Sequence, residues 1–308
     1  YFAPITEIAN LSIIATAESP NTMERLVYPG QEADAGWRLI AQENIADHRT
    51  GPLVIHVVDY LGNPIEGARI AIRQERHGYP FGTAVVAKRI ADGERDLFDD
   101  TSSAELEARL SDNAGYRDYL KTLFNYVVFE NDLKWPIWEE ESRQFRQEWT
   151  LDALEWLNQH NFLIKGHTLI WGSWKMTPDW LRQFEEAPDE IQSRILDHIE
   201  EIGAATRDHV DHWDVLNEPM SHRDIIEIVG MPRVAEWFKK AREVMPEVKL
   251  IINDFNLIGN NGSPYRQKAF YEFVSELLEL GAPIDAIGFQ SHFWSTRLTP
   301  PTEIWKVI

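Results

Sequence analysis

From residue 80 onward, short apolar runs alternate with longer stretches of helical periodicity. The runs are PFGTAVV (80–86), LFNYVVF (123–129), FLIKGH (162–167), VDHWDVL (210–216), KLIIN (249–253) and IDAIGF (284–289). Several are almost continuously apolar, the pattern of parallel strands covered on both faces. Between them the spacing changes. Ile191, Ile195, Ile199 and Ile202 share one stripe of a helix over 189–202. Ala269, Phe270, Phe273, Val274, Leu277 and Leu278 share another over 265–280, with Gly281 and Pro283 as stop signals. Regular strand–helix alternation predicts an α/β fold around a parallel sheet.

The first 80 residues have a different texture. Residues 1–20, with ITEIANLSII, read as the end of an upstream β module, and 21–50 as a linker whose GWRLIAQENIADH (36–48) suits a short helix. In 51–76, two β-rich runs flank a Gly-Asn-Pro turn, a hairpin signal. Residues 77–308 form the remaining domain.

Two architectures compete for that domain. A doubly wound nucleotide-binding sheet would carry a glycine-rich first turn, and FGTAVVAKRI holds no GxGxxG. A (β/α)8 barrel places its functional groups just beyond the carboxyl ends of several strands. Here ENDLKW, GHTLIWGSW, NEP, NDFN and QSHFW all follow or end predicted strands. The barrel is therefore favoured. Its strands recur about every 40 residues, and two further units would need roughly 80 residues beyond the sixth strand. The sequence stops at residue 308. The expectation is a (β/α)8 TIM barrel, incomplete in this chain at about six of eight units, with an N-terminal β-rich extension.

Composition narrows the partners. The formal net charge of −20 argues against nucleic acid and anionic lipid, and leaves a neutral ligand open. No run is long enough to span a membrane. The absence of cysteine removes disulfides, thiolate metal sites and cysteine nucleophiles. The chain starts at Tyr1 without a basic-then-apolar leader, so a signal peptide, if there is one, lies outside this sequence. Both ends are expected to be cut from something longer.

Glu218 stands at a strand mouth in WDVLNEPM. It reads either as a solvated strand-end carboxylate or as a general acid that protonates a leaving oxygen, with Asn217 beside it to bind a sugar hydroxyl. ENDLKW offers Glu130, Asn131, Lys134 and Trp135. It is either a surface turn closed by a Glu130–Lys134 pair, or a polar clamp with a tryptophan for the apolar face of a sugar. His167 and His292 are core histidines or, with Gln290, contacts to a sugar or to catalytic carboxylates. With Glu218 they could nominally ligate a metal, but no HxH or HExxH spacing supports it. Trp171, Trp174 and Trp294 follow the same strand ends, where packing and stacking on a flat ligand are both open.

Taken together, FGTAV, FENDLKW, GHTLIW, WDVLNEP, INDFN and GFQSH, in that order over residues 80–294, resemble glycoside hydrolase family 10, the family of endo-β-1,4-xylanases. The resemblance implies retaining hydrolysis of β-1,4-xylosidic bonds in xylan without metal or organic cofactor. Glu218 would be the acid/base. Glu130, Asn131, Lys134, His167, Trp171, Asn217, Gln290 and His292 would line the cleft. It also implies a secreted or periplasmic, monomeric protein whose partner is the polysaccharide. Three departures stand out. Gly172, Ser173 and Trp174 replace the usual His-Ser-Gln. Phe255 stands where tyrosine is common. The seventh-strand segment that carries the nucleophilic glutamate has no counterpart, so the nucleophile is expected outside this chain and the isolated fragment is expected to be inactive. Glu303, after Pro300 and Pro301, reads instead as a first-turn helix residue. A non-catalytic carbohydrate-binding barrel and a related β-glycanase of different sugar specificity are the alternatives.

Overall fold

The computed structural model describes residues 28–75, 78–91, 103–259, 262–293 and 299–308, with side chains left aside for 103–111. The expected strand in residues 1–20 and Trp294 lie outside the described residues. The chain divides into two compact units, Tyr1–Pro80 and Phe81–Ile308.

In the first unit, helix α1 spans Gly36–Arg49. The turn in 51–76 forms around Asp59, whose Oδ1 accepts from Leu61 N at 2.8 Å and Asn63 N at 2.9 Å. Gly62 adopts φ +86° there, a conformation glycine takes without strain. The hairpin is shorter than its sequence suggests. Its only bridge among the described residues pairs Val58 with Pro64, which has no N–H to extend a ladder.

In the second unit the elements are β1 (Gly82–Val85), α2 (Ala87–Ile90), α3 (Ser103–Leu123), β2 (Tyr126–Phe129), α4 (Trp135–Trp138), α5 (Glu148–Gln159) and β3 (Leu163–Trp171). A 3-10 turn at Asp179–Phe184 leads to α6 (Pro188–Thr206) and β4 (His212–Asn217). Then come α7 (Asp224–Val229), α8 (Met231–Val244), β5 (Lys249–Asp254), α9 (Pro264–Glu279), β6 (Ala286–Phe289) and α10 (Pro301–Trp305). All six strands are parallel and neighbour one another in chain order, β1 to β6. A doubly wound sheet reverses its order at a switch point. Sequential order is the winding of a barrel, and six consecutive units form an incomplete (β/α)8 barrel.

Each strand appears where the apolar pattern put it, with shifted ends. Leu123 closes α3, and Phe124 just beyond it donates its N–H to Leu120 O at 3.0 Å, so β2 starts later. β3 runs past His167 to Trp171 because Thr168 is buried and its hydroxyl is satisfied by Asp214 O at 2.8 Å. β6 departs from the expectation of burial on both faces: Ala286 and Ile287 are exposed. The α6 stripe is fully buried at Ile191, Ile195, Ile199 and Ile202. α9 is capped by Ser263 Oγ, which accepts from Arg266 N at 3.2 Å, and it buries Phe270, Phe273, Val274 and Leu277. Leu278 is exposed instead of joining that stripe. Glu303 lies in the first turn of α10, as its flanking prolines indicate.

Candidate active site

Register builds the site. Trp171 pairs with Asn217, Asn217 with Asn253, and Asn253 with Gly288, so four strands contribute one row near their carboxyl ends. Gly288 has no side chain for a reason that the row makes plain. A Cβ there would stand 2.5 Å from Asn253 Oδ1. The space lets Asn253 Nδ2 donate to Asn217 Oδ1 at 3.0 Å. Among the described residues, Asn217 Nδ2 is buried with no hydrogen-bond partner.

Glu218 follows Asn217 and is 9% exposed. Its backbone takes φ +55°, and Asn256 and Ser291, beyond β5 and β6, have φ +55° and +48°. Asparagine takes such angles readily, whereas a glutamate there carries backbone strain that the surrounding structure must hold. Gln290 Nε2 donates to Glu218 Oε1 at 2.9 Å and to Asn217 Oδ1 at 3.1 Å. His292 Nε2 lies 2.8 Å from Gln290 Oε1 and orients that amide. Asn217, Glu218, Gln290 and His292 thus form one hydrogen-bonded chain.

The other candidates gather around Trp171. Lys134 Nζ lies 5.2 Å from its ring centroid and donates to Asn131 Oδ1 at 2.8 Å. The ammonium pKa is lowered by burial, against which the charges of Glu130 and Glu218 work. Lys134 therefore hydrogen-bonds Asn131, not the Glu130 partner of a simple surface turn. Glu130 joins the group through charge alone. His167 meets the Trp171 ring edge-on at 6.2 Å, and its Nδ1 is 2.8 Å from Asp214 Oδ2. Asp214 is fully buried and also pairs with Lys165 at 2.9 Å. The Trp171 indole N–H is buried and has no hydrogen-bond partner among the described residues.

Trp135 corrects the sequence reading. It is no platform for a ligand: it is 2% exposed, stacks on His198 with centroids 4.3 Å apart, and donates Nε1–H to Glu139 Oε2 at 3.0 Å. Trp174 is half-buried, with the Arg182 guanidinium 5.8 Å from its ring centroid. Among the described residues no cluster of three His, Cys, Asp or Glu side chains is arranged to hold a metal. His167 and His292 are engaged with Asp214 and Gln290. Sequence reasoning missed Asp214 and Asn253, which orient His167 and Asn217. It also missed His222, whose Nε2 lies 3.1 Å from Glu218 Oε2. The only available signal for His222 was its place four residues after Glu218.

A singly wound parallel sheet with polar groups converging at its carboxyl ends defines a protein of the (β/α)8-barrel class. The chain matches glycosyl hydrolase family 10 over residues 92–307, and it belongs to that family. It is similar to the β-1,4-xylanase of Dictyoglomus thermophilum, 30% identical over 193 residues that cover 60% of this chain and 53% of the relative. Endo-1,4-β-xylanase A of Caldicellulosiruptor saccharolyticus is 31% identical over 197 residues, covering 59% and 56% of the two chains. The chain spans about half the length of these curated relatives. Among solved structures, native xylanase 10B from Thermotoga maritima superposes with a TM-score of 0.52 at 28% identity, covering 59% of this chain and 57% of that one. Xylanase B from Clostridium stercorarium F9 gives 0.59 at 23% identity over 74% and 66%, a likeness in fold.

Proposed function

We propose that this chain is the acid/base-bearing part of a retaining endo-β-1,4-xylanase. The observation that carries the proposal is Glu218. It is a nearly buried carboxylate at the end of β4, strained in its backbone, with one oxygen held by Gln290 and a vacant Asn217 amide donor beside it. Family membership and the xylanase relatives give the chemistry its direction.

Retaining hydrolysis needs two carboxyl groups about 5–5.5 Å apart. In the first step the nucleophile attacks the anomeric carbon, and Glu218 passes its proton to the departing glycosidic oxygen. Because Gln290 donates to Oε1, the proton resides on Oε2. In the second step Glu218 takes a proton from water, which attacks the anomeric carbon and releases the nucleophile. The nucleophile comes from sequence outside these 308 residues, in a seventh barrel unit. Glu303 does not serve, because it lies in the first turn of α10 and not at the end of a strand. Asn217 binds a hydroxyl of the sugar at the reacting bond. Glu130, Asn131, Lys134, His167, Trp171, Gln290 and His292 line the rest of the cleft. The protein acts on xylan as a secreted or periplasmic monomer. The described residues include no helix long and apolar enough to cross a membrane.

The test uses the protein expressed from its whole natural reading frame. Glu218→Ala is expected to lower turnover of xylo-oligosaccharides about 10³-fold, the scale of general acid catalysis. Formation of the glycosyl-enzyme from a dinitrophenyl β-xylobioside, whose leaving group needs no proton, should persist, and azide should restore its turnover. Full activity of the variant on xylo-oligosaccharides, or turnover of glucan or mannan above that of xylan, would overturn the proposal.

A further inference from the structure

Glu218 has a second side-chain neighbour, the His222 imidazole on Oε2. His222 reaches it because residues 218–222 close into a turn. The N–H groups of Ser221 and His222 both donate to Glu218 O at 3.0 Å. This turn is tied on several sides. Met220 N donates to the buried Asp254 Oδ2 at 3.0 Å. Arg266 Nη2 bridges Asp254 Oδ1 at 2.7 Å and Ser221 Oγ at 3.0 Å. Just beyond the turn, Ile225 N donates to Gly172 O at 3.1 Å, and Asp224 Oδ2 accepts from Trp174 N at 3.1 Å. The His222 ring then meets Trp171 edge-on, centroids 5.5 Å apart. Its side chain is 26% exposed, so it faces the open side of the site and not the core.

Gly172 makes this approach possible. A Cβ at that position would lie 2.9 Å from the His222 carbonyl oxygen and 3.3 Å from Ile226 Cγ1. Backbone cannot yield as a flexible side-chain end can, so any side chain at 172 pushes the turn outward.

We propose that His222 is a positioning residue for the acid/base, and that Gly172 is the position that admits it. The proposal rests on the assignment of Glu218 above. Gln290 holds Oε1 by a hydrogen bond, and the His222 imidazole lies against Oε2 with its Nε2 at 3.1 Å, so the carboxyl group is flanked at both oxygens. Oε2 passes the proton to the glycosidic oxygen and later takes one back from water. His222 itself ends each cycle with the proton it began with.

The experiment again uses the protein from its whole reading frame. His222→Ala is expected to lower kcat on xylo-oligosaccharides about 10-fold, less than the ~10²–10⁴-fold of a direct proton donor because His222 acts only through Glu218, and to change KM little. Glycosyl-enzyme formation from the dinitrophenyl xylobioside should be nearly unaffected. His222→Gln, whose amide N–H reaches the same oxygen, should recover most of the lost kcat. Gly172→Ala should show the same split between substrates and add little to His222→Ala in the double variant. If His222→Ala does not fold, His222→Asn, too short to reach Oε2, takes its place. The proposal is overturned if kcat is unchanged, or if both substrates suffer equally and glutamine rescues neither. Glu218→Ala, run in parallel, tells that result apart from a wrong acid/base assignment, since retention of its xylo-oligosaccharide turnover would sink the latter alone.

Discussion

His198 offers a quantitative test of how tightly the barrel packs behind the site. It lies on α6, 1% exposed, stacked on Trp135 at an interplanar angle of 10°. Neither ring nitrogen makes a well-formed hydrogen bond. Burial lowers its pKa from 6.5 to about 3, and the nearby Leu169 backbone opposes this only in part. The folded protein thus keeps His198 neutral, while the unfolded chain protonates it below pH 6.5. Stability from this group is complete above pH 6.5 and is lost as pH falls toward 3. Each pH unit in that window costs about 1.36 kcal/mol, so lowering the pH from 7.5 to 5.0 should cost about 2 kcal/mol. His198→Phe keeps a ring against Trp135 and removes the titration. Urea unfolding of both proteins at the two pH values isolates the effect, because the constant cost of the substitution cancels in the difference. The wild type should lose about 2 kcal/mol more than the variant between the two pH values. Equal losses would refute the reasoning and place a solvated, protonatable histidine at this position.

Three further outcomes follow from the site geometry. Gly288→Ala drives a methyl group into Asn253, so it should cost about 2 kcal/mol of stability by overpacking and lower kcat through Asn217; unfolding and steady-state kinetics check both. Asp254→Ala removes a fully buried carboxylate from Arg266, Met220 N and Phe255 N, and denaturant titration should show a loss of about 3 kcal/mol or more. Glu218→Gly and Glu218→Ala both lose the carboxylate and its Gln290 contact, but glycine also relieves the left-handed backbone, so thermal unfolding should show the glycine variant about 1 kcal/mol more stable than the alanine one, and a lower melting temperature than alanine's would contradict the strain argument.

The sequence by itself determined the fold class. Six apolar runs separated by helical stripes leave a parallel α/β sheet as the consistent solution, because burial on both faces requires continuous apolar strands and short connections require helices on the return path. It also showed where the chemistry gathers, since polar residues interrupting apolar runs at strand ends are costly unless used. Strand ends were less legible. His167 and Thr168 look like the close of a strand until Asp214 is seen to satisfy both. Trp135 looked available to a ligand, and only packing against His198 turned it inward. Tertiary structure alone decided the register that aligns Trp171, Asn217, Asn253 and Gly288 across four strands. It alone decided that a glycine on β6 makes room for an asparagine on β5, and that Gly172 makes room for His222. Such pairings depend on how strands are staggered and where turns close. Those are distances between residues far apart in the chain, and no local pattern of apolar and polar positions records them.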